Sequence, residues 1–462
     1  MTFDSFGAAL SINPANGEQI GRYPYESVSE MEATLVRVQA GFEKWRDVEV
    51  EVRAGVLLNL ASQLRTQAEG MAQLAANEMG KPVVQGRAKV EKCAALCEWY
   101  AQHGPRMLEP EPTLVEDDKA YVAYRPLGAV LAVMPWNFPF WQVMRGVVPI
   151  ILSGNPYVLK HAPNVMGCAY KLQQAWRDAG LPDGVFEIIN VVPSTVSKAI
   201  EDPRIATVTV TGSVRAGSAI GAQAGAALKK CVLELDGSDP FVVLADADID
   251  EAVNAAVVGR FQNSGQVCIA AKRIIVEQSV AEAFESKFVD AVTALKLGDP
   301  LENSTYIGPM ARADLRDELD EQVKATVAQG AKLLLGGKKI EGIGNYYEPT
   351  ILTDVRPGMT SFVEELFGPV ASLIVARDAI QALELANDSE FGLAGSIWTA
   401  DVEMARRFAA RMITGGVFIN GYVATDPRVP IGGVKKSGFG RELSHYGLRE
   451  FCNAQTVWLA RR

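Results

Sequence analysis

The sequence predicts an α/β fold made of two units, each a mostly parallel sheet with helices on its faces. Three observations lead there. From Gly128 onward, short apolar runs alternate with helical stretches, which is the pattern of strands joined by crossover helices. The alternation restarts near Pro240, and the chain has 462 residues, more than the roughly 250–300 at which a single core stops growing. Finally, residues 121–125 and 455–459 read as strands but fit neither series.

The first series places strands at 129–134, 157–160, 185–191, 206–210 and 231–235, with helices between them, for example at 165–179. The second places strands at 241–244, 273–276, 372–375, 396–399 and 416–420, with the boundary between the units near 236–238. Before both series, residues 28–45, 52–68 and 71–79 carry apolar residues at three- and four-residue steps and are expected to be helices. Gly80-Lys81-Pro82 ends that pattern. Cys93 and Cys97, four apart on a helical stretch, read as helix-face packing.

Composition removes several classes of function. A formal charge of −10 supplies no basic footprint for nucleic acid and is repelled by an anionic membrane. The most apolar run, from Gly128 to Pro135, is too short to span a bilayer. Residues 1–10 carry no basic segment and no long apolar stretch, so no secretory signal is expected. Six scattered cysteines make neither a disulfide framework nor a zinc pattern, and a reducing cytoplasm is expected. With three well-separated histidines, no metal site is expected.

The segment Phe261-Gln262-Asn263-Ser264-Gly265-Gln266-Val267-Cys268 places a thiol after a short polar stretch. A lone cysteine is ordinarily a buried packing residue, so nucleophilic chemistry needs partners. Glu234, at the end of the strand expected at 231–235, is a candidate base at a sheet's carboxyl edge. Asn137, in Met134-Pro135-Trp136-Asn137-Phe138-Pro139, is held between two prolines after another strand and is a candidate oxyanion donor. Strand, Gly212-Ser213 and helix follow one another at 208–217, an arrangement that binds anions at a helix N-terminus. Gly217 lies five residues after Gly212, so this is not the usual dinucleotide fingerprint. Lys160 ends a neighbouring strand, where it can reach a ribose or a phosphate.

These segments resemble the aldehyde dehydrogenase superfamily over nearly the whole chain. Glu364-Glu365-Leu366-Phe367-Gly368-Pro369 and Pro430-Ile431-Gly432-Gly433-Val434-Lys435-Lys436-Ser437-Gly438 add two more motifs in the family's order. The resemblance implies a Rossmann-like dinucleotide-binding domain at 1–107 and 127–235 and a catalytic domain at 236–435. It assigns 108–126 and 436–462 to a small β oligomerisation arm and C-terminal tail of a homodimer or homotetramer. It implies Cys268 as nucleophile, Glu234 as base for deacylation, and Asn137 with the Cys268 backbone N–H as oxyanion hole. NAD or NADP is then the cofactor, with Lys160 and Glu365 on the riboses, Ser213 at the pyrophosphate and Phe367 beside the nicotinamide ribose. Pro135, Trp136, Gly212, Gly217 and Leu235 complete that site.

Arg145 lies eight residues after Asn137, two turns along if Asn137 opens a helix, with Trp141 one turn along on the same face. This spacing resembles bacterial succinate-semialdehyde dehydrogenases, and the resemblance implies an arginine fork holding the substrate's distal carboxylate. The family's second arginine is Gln262 here, so Arg428 is the expected replacement. Pro163 stands where NAD-selective relatives carry an acidic residue, which leaves NAD and NADP both open.

Two further positions depart from the family. Asp236 replaces a glycine after the base and is expected to oppose thiolate formation at Cys268. Gly146 replaces a lysine that can pair with the glutamate at Glu442, which puts a proton relay there in doubt. Another small aldehyde, a cysteine-dependent esterase and a weakly active variant stay open as alternatives.

Overall fold

In the computed structural model, residues 7–116 and 119–460 are described. The first part of the 1–10 stretch, positions 117–118 within the expected arm, and the last two positions of the tail lie outside the described residues.

The apolar runs of the first series become strands buried on both faces. Ala129–Met134, Tyr157–His161 and Ile205–Thr211 are buried along nearly their whole length, as helix-covered strands of a parallel sheet must be. They join Phe186–Ile188 and Lys230–Glu234 in parallel, and Gly438–Phe439 closes one edge in antiparallel sense. That edge strand comes from the segment 436–462, which was expected in the arm and tail.

The sheet's strand order creates a crevice. From Ala129–Met134 the chain runs outward through Tyr157–His161 to Phe186–Ile188. It then crosses back to lay Ile205–Thr211 and Lys230–Glu234 on the other side. The turns after Ala129–Met134 and Ile205–Thr211 therefore diverge at the carboxyl ends of adjacent strands, where open α/β sheets bind ligands.

The second sheet has seven strands, ordered Lys332–Leu335, Thr350–Thr353, Val370–Ala376, Ala271–Glu277, Asp239–Val243, Gly395–Trp398 and Val417–Ile419. All pair in parallel except the first, which is antiparallel. Three segments run side by side into its amino-terminal edge. Positions 236–238 lead into Asp239–Val243, 268–270 into Ala271–Glu277, and 365–369 into Val370–Ala376. The site lies between this edge and the crevice of the first sheet.

The two strand-like segments outside both series find each other. Ala120–Pro126 pairs antiparallel with Cys452–Trp458 and with the short Glu111–Pro112. The N-terminal helices Val28–Trp45, Val50–Thr66 and Ala68–Met79 form close to the expected positions. Ser27 starts the first of them with a reciprocal capping box to Glu30. Cys93 and Cys97 are fully buried on Val83–Met107. One local expectation changes: Asn137 does not open a helix. It sits in the turn ahead of Trp141–Leu152, every residue of which is buried.

Candidate active site

The nucleophile loop is held in a conformation that side chains rarely adopt. Asn263, Ser264 and Gly265 have φ of 55°, 55° and 71°, in the left-handed region that costs non-glycine residues free energy. Surrounding bonds impose it. Lys81 Nζ donates to Asn263 Oδ1 at 2.5 Å, Gln85 accepts from the Asn263 N–H at 2.7 Å, and Ser264 Oγ donates to Gly308 O at 2.9 Å. Gly265 has no alternative, because a Cβ there would stand 2.2 Å from the Gly368 carbonyl oxygen.

Arg260, fully buried, joins this loop to the Glu365 segment. Its guanidinium donates to the carbonyls of Val370 at 2.5 Å, Gly265 at 3.2 Å and Leu366 at 2.9 Å, and to that of Gly368. Lys272 makes the next connection, donating to the carbonyls of Gly237, Val267 and Cys268 and to Glu365 Oε1 at 2.5 Å. Ser437, from the closing motif, donates to the Asp236 carbonyl at 2.7 Å. Sequence reading missed Arg260 and Lys272, which look there like an ordinary charged residue at a helix end and another at a strand start.

Cys268 forms part of the wall of two cavities. The larger, about 490 Å³, is lined by Pro135, Trp136, Asn137, Gly212, Ser213, Leu235, Asp236, Glu365 and Phe367 among others. The smaller, about 250 Å³, is lined by Lys89, Lys92, Phe138, Trp141, Gln142, Arg145 and Gln262 and by the segments 267–269 and 422–425. Dense packing behind the partly exposed thiol pushes its pKa up to about 12. Arg145 and Lys272 pull it down, while Glu234 and Glu365 push it further up. Asp236 is not among those causes. Its carboxylate accepts the Val214 N–H at 2.8 Å and hydrogen-bonds Glu365, whose pKa it raises.

Asn137 Nδ2 spends one N–H on the Gln266 carbonyl at 3.1 Å, and the Asn137 backbone carbonyl accepts from Asn263 Nδ2 at 2.9 Å. The second amide N–H is left for the cavity. Glu234 is 2% exposed; Arg145 Nη2 donates to its Oε2 at 2.5 Å, and its Oε1 is buried without a partner.

Arg145 itself is buried between two carboxylates, since its Nε also pairs with Glu442. Arg145 lines the small cavity beside Cys268, and its charge is already matched inside the protein. The arginine one position before Gly146 takes the lysine's place as Glu442's ion-pair partner, but a guanidinium stays protonated and supplies no relay. Burial holds the Glu442 pKa up at about 7, with Arg145 pulling it down. Arg428, the expected second arginine, is exposed, pairs with Asp426 at 2.7 Å and is not among the residues lining the small cavity.

The large cavity fits a nicotinamide dinucleotide. Trp136 and Phe367 meet edge to face with centroids 5.7 Å apart, forming an apolar wall. Glu365 offers a carboxylate for ribose hydroxyls; burial lifts its pKa to about 8 against the pull of Lys272. Gly212 has open space beside its Cα, and Ser213 caps the helix Val214–Ala226 by accepting from Ala216 N. Gly217 packs below instead, where a Cβ would meet the Leu235 side chain at 2.3 Å. Lys160 is the penultimate residue of Tyr157–His161, donates to the His161 carbonyl at 3.3 Å and is not among the residues lining this cavity.

A family model described as "Aldehyde dehydrogenase family" matches residues 4–457. The chain belongs to the aldehyde dehydrogenase family. Among relatives of this aldehyde dehydrogenase is the NAD(P)+ succinate semialdehyde dehydrogenase of Escherichia coli K12, 61% identical over 99% of both chains. A Mycobacterium tuberculosis H37Rv succinate-semialdehyde dehydrogenase, NADP(+)-named, is 43% identical over 97% of this chain and 99% of its own. A solved Streptococcus pyogenes succinic semialdehyde dehydrogenase in complex with NADP+ superimposes with a TM-score of 0.95 at 33% identity, covering 98% and 99% of the two chains. Among the described residues, no helix of this aldehyde dehydrogenase is long and apolar enough to cross a membrane.

Proposed function

We propose that this aldehyde dehydrogenase oxidises succinate semialdehyde to succinate with NAD+ or NADP+. The observation that carries the reading is the position of Cys268, shared by a dinucleotide-sized cavity and a separate basic one. The names of the 61% and 43% identical relatives support the substrate, and that of the 61% identical relative supports the dual cofactor.

The proposed chemistry uses the chain's own groups. The Cys268 sulfur adds to the aldehyde carbon, and its proton passes to Glu234. The free Asn137 N–H meets the oxyanion of the resulting thiohemiacetal. The cofactor's contribution is to accept the hydride released as that oxyanion collapses to a thioester. Glu234 first gives up the thiol's proton to solvent, then takes one from the water that attacks the thioester carbonyl; the tetrahedral intermediate expels the Cys268 sulfur, which regains a proton from Glu234, and the acid leaves and ionises. One water is consumed and two protons are released per aldehyde. For the cofactor, Pro135, Trp136, Leu235 and Phe367 would hold the nicotinamide end, Glu365 a ribose, and Gly212 and Ser213 the helix start at the pyrophosphate.

The proposed assembly is a homodimer or homotetramer. Cys452–Trp458 is paired along one side only, and Trp458 and Leu459 at its end are exposed, a combination that a partner subunit covers well. Light scattering at micromolar concentration showing monomers alone would overturn it. The proposed setting is the reducing cytoplasm, which keeps a thiol nucleophile usable.

The test is a panel of aldehydes with and without a distal carboxylate, assayed with NAD+ and NADP+ in parallel and repeated with Cys268→Ala. Succinate semialdehyde is expected to have the highest kcat/KM, and the variant to lose oxidation while still binding the dinucleotide. A best substrate without a carboxylate, or substantial oxidation by Cys268→Ala, would refute the proposal.

A further inference from the structure

The small cavity has a charge that the catalytic steps do not use. Lys89 and Lys92 stand three residues apart on Val83–Met107 and both line it. Lys89 Nζ lies over the Phe138 ring at 5.2 Å and Lys92 Nζ over the Trp141 ring at 4.4 Å. Lys92 also donates to the Thr425 carbonyl and, at 2.7 Å, to Thr425 Oγ1. Among the described residues neither ammonium is in an ion pair, and no carboxylate lines the cavity. The charged lining of the large cavity is the reverse, with Asp236, Glu318, Glu364, Glu365 and Glu390 and no cation.

Two unpaired cations on a desolvated wall are costly unless an anion joins them. The third cation in the cavity, Arg145, is already matched by Glu234 and Glu442. Gln262, where the family's second arginine is expected, brings no charge. We propose that Lys89 and Lys92 are the specificity-determining residues of this enzyme, holding the distal carboxylate of an ω-carboxylated aldehyde while its carbonyl reaches Cys268. Trp141 and Phe138 keep the two ammoniums in place and shield the methylene chain. Burial and the mutual repulsion of the pair hold the Lys92 pKa down at about 7, so a carboxylate that settles between them relieves a repulsion already present.

The assignment rests on the proposed carboxylated substrate, and the experiment separates the two. Wild type, Lys89→Met, Lys92→Met, the double variant and Lys92→Arg are compared on succinate semialdehyde and butyraldehyde at saturating NAD+. Dinucleotide affinity, read by tryptophan quenching, serves as the control for an intact fold. Each single loss is expected to lower kcat/KM for succinate semialdehyde by about ten- to a hundredfold, mostly through KM. Butyraldehyde should stay within about twofold, and Lys92→Arg should retain the preference. A double variant that keeps the wild-type preference, or loses both substrates equally while binding dinucleotide, overturns the lysine assignment. If the variants fail to fold, competitive inhibition of wild-type butyraldehyde oxidation by succinate decides: inhibition that does not weaken as the lysines are neutralised at higher pH overturns it. A wild type without any preference for the carboxylated aldehyde refutes the substrate reading instead.

Discussion

Arg145→Met offers the sharpest test of how the buried charges of this site are arranged. The wild-type guanidinium sits between Glu234, at 2.5 Å, and Glu442, all three 2% exposed or less. Unit charges about 4 Å apart at an effective dielectric of about 20 attract by about 4 kcal/mol, and two such pairs offset the desolvation of three ionised groups. Methionine fills the space but leaves both carboxylates buried and facing each other. Loss of one partner from a buried pair typically costs about 3–5 kcal/mol, and that is the destabilisation expected at pH 8. The pH dependence has a definite sign. Without the arginine, which holds Glu442 down at about 7, the folded-state pKa of Glu442 rises further above its unfolded value, so folding takes up protons. The variant's deficit must therefore shrink as pH falls toward 5. Urea unfolding at pH 5, 6.5 and 8 measures this, with kcat/KM for succinate semialdehyde and butyraldehyde alongside. Both substrates are expected to fall together, with the rising limb of the pH profile displaced to higher pH. Unchanged stability at pH 8, or a loss confined to the carboxylated aldehyde, would refute the reasoning and return Arg145 to the substrate.

Three further outcomes follow from the geometry. Asp236→Gly frees the Val214 N–H, which its carboxylate holds at 2.8 Å, and dinucleotide Kd by calorimetry should fall by about two- to tenfold; the pH dependence of Cys268 alkylation should not move, and a shift there would restore a direct effect on the thiol. Gly265→Ala places a Cβ 2.2 Å from the Gly368 oxygen at a φ of +71°, so urea unfolding should show a loss of at least about 1–3 kcal/mol, and wild-type stability would show that the loop is not held as described. KM for succinate semialdehyde should rise as pH passes above about 7 and Lys92, which faces Lys89, Cys93, Asp426 and Arg145, loses its proton, while a butyraldehyde KM that rises in parallel would assign the effect to another group.

Much of the fold was legible because a strand buried on both faces must be an unbroken apolar run. All ten strands expected at 129–134 through 416–420 appear within a few residues of those positions. The hairpin Ala8–Ile12 with Gln19–Pro24 was not, since its second strand is largely exposed and polar. The motif residues Asn137, Glu234, Glu365 and Cys268 announced themselves by position. Their supports did not. Arg145 meets Glu442 across almost 300 positions, and no local pattern encodes such a contact. Lys89 and Lys92 sit on a helix where charge ordinarily marks the solvated face, and only the packing of Phe138 and Trp141 beside them shows otherwise. Asp236 was expected to act on the thiol, but its direction depends on where the helix Val214–Ala226 begins.

The linings of the two cavities have only Gln142 and Cys268 in common. The aldehyde tail and the dinucleotide are thus read by nearly disjoint sets of side chains, and residues without shared partners contribute additively to within about 0.3–0.5 kcal/mol. Preference for one cofactor and preference for one aldehyde can drift, or be redesigned, as independent traits. A change of diet on one side of the thiol need not disturb the electron carrier on the other.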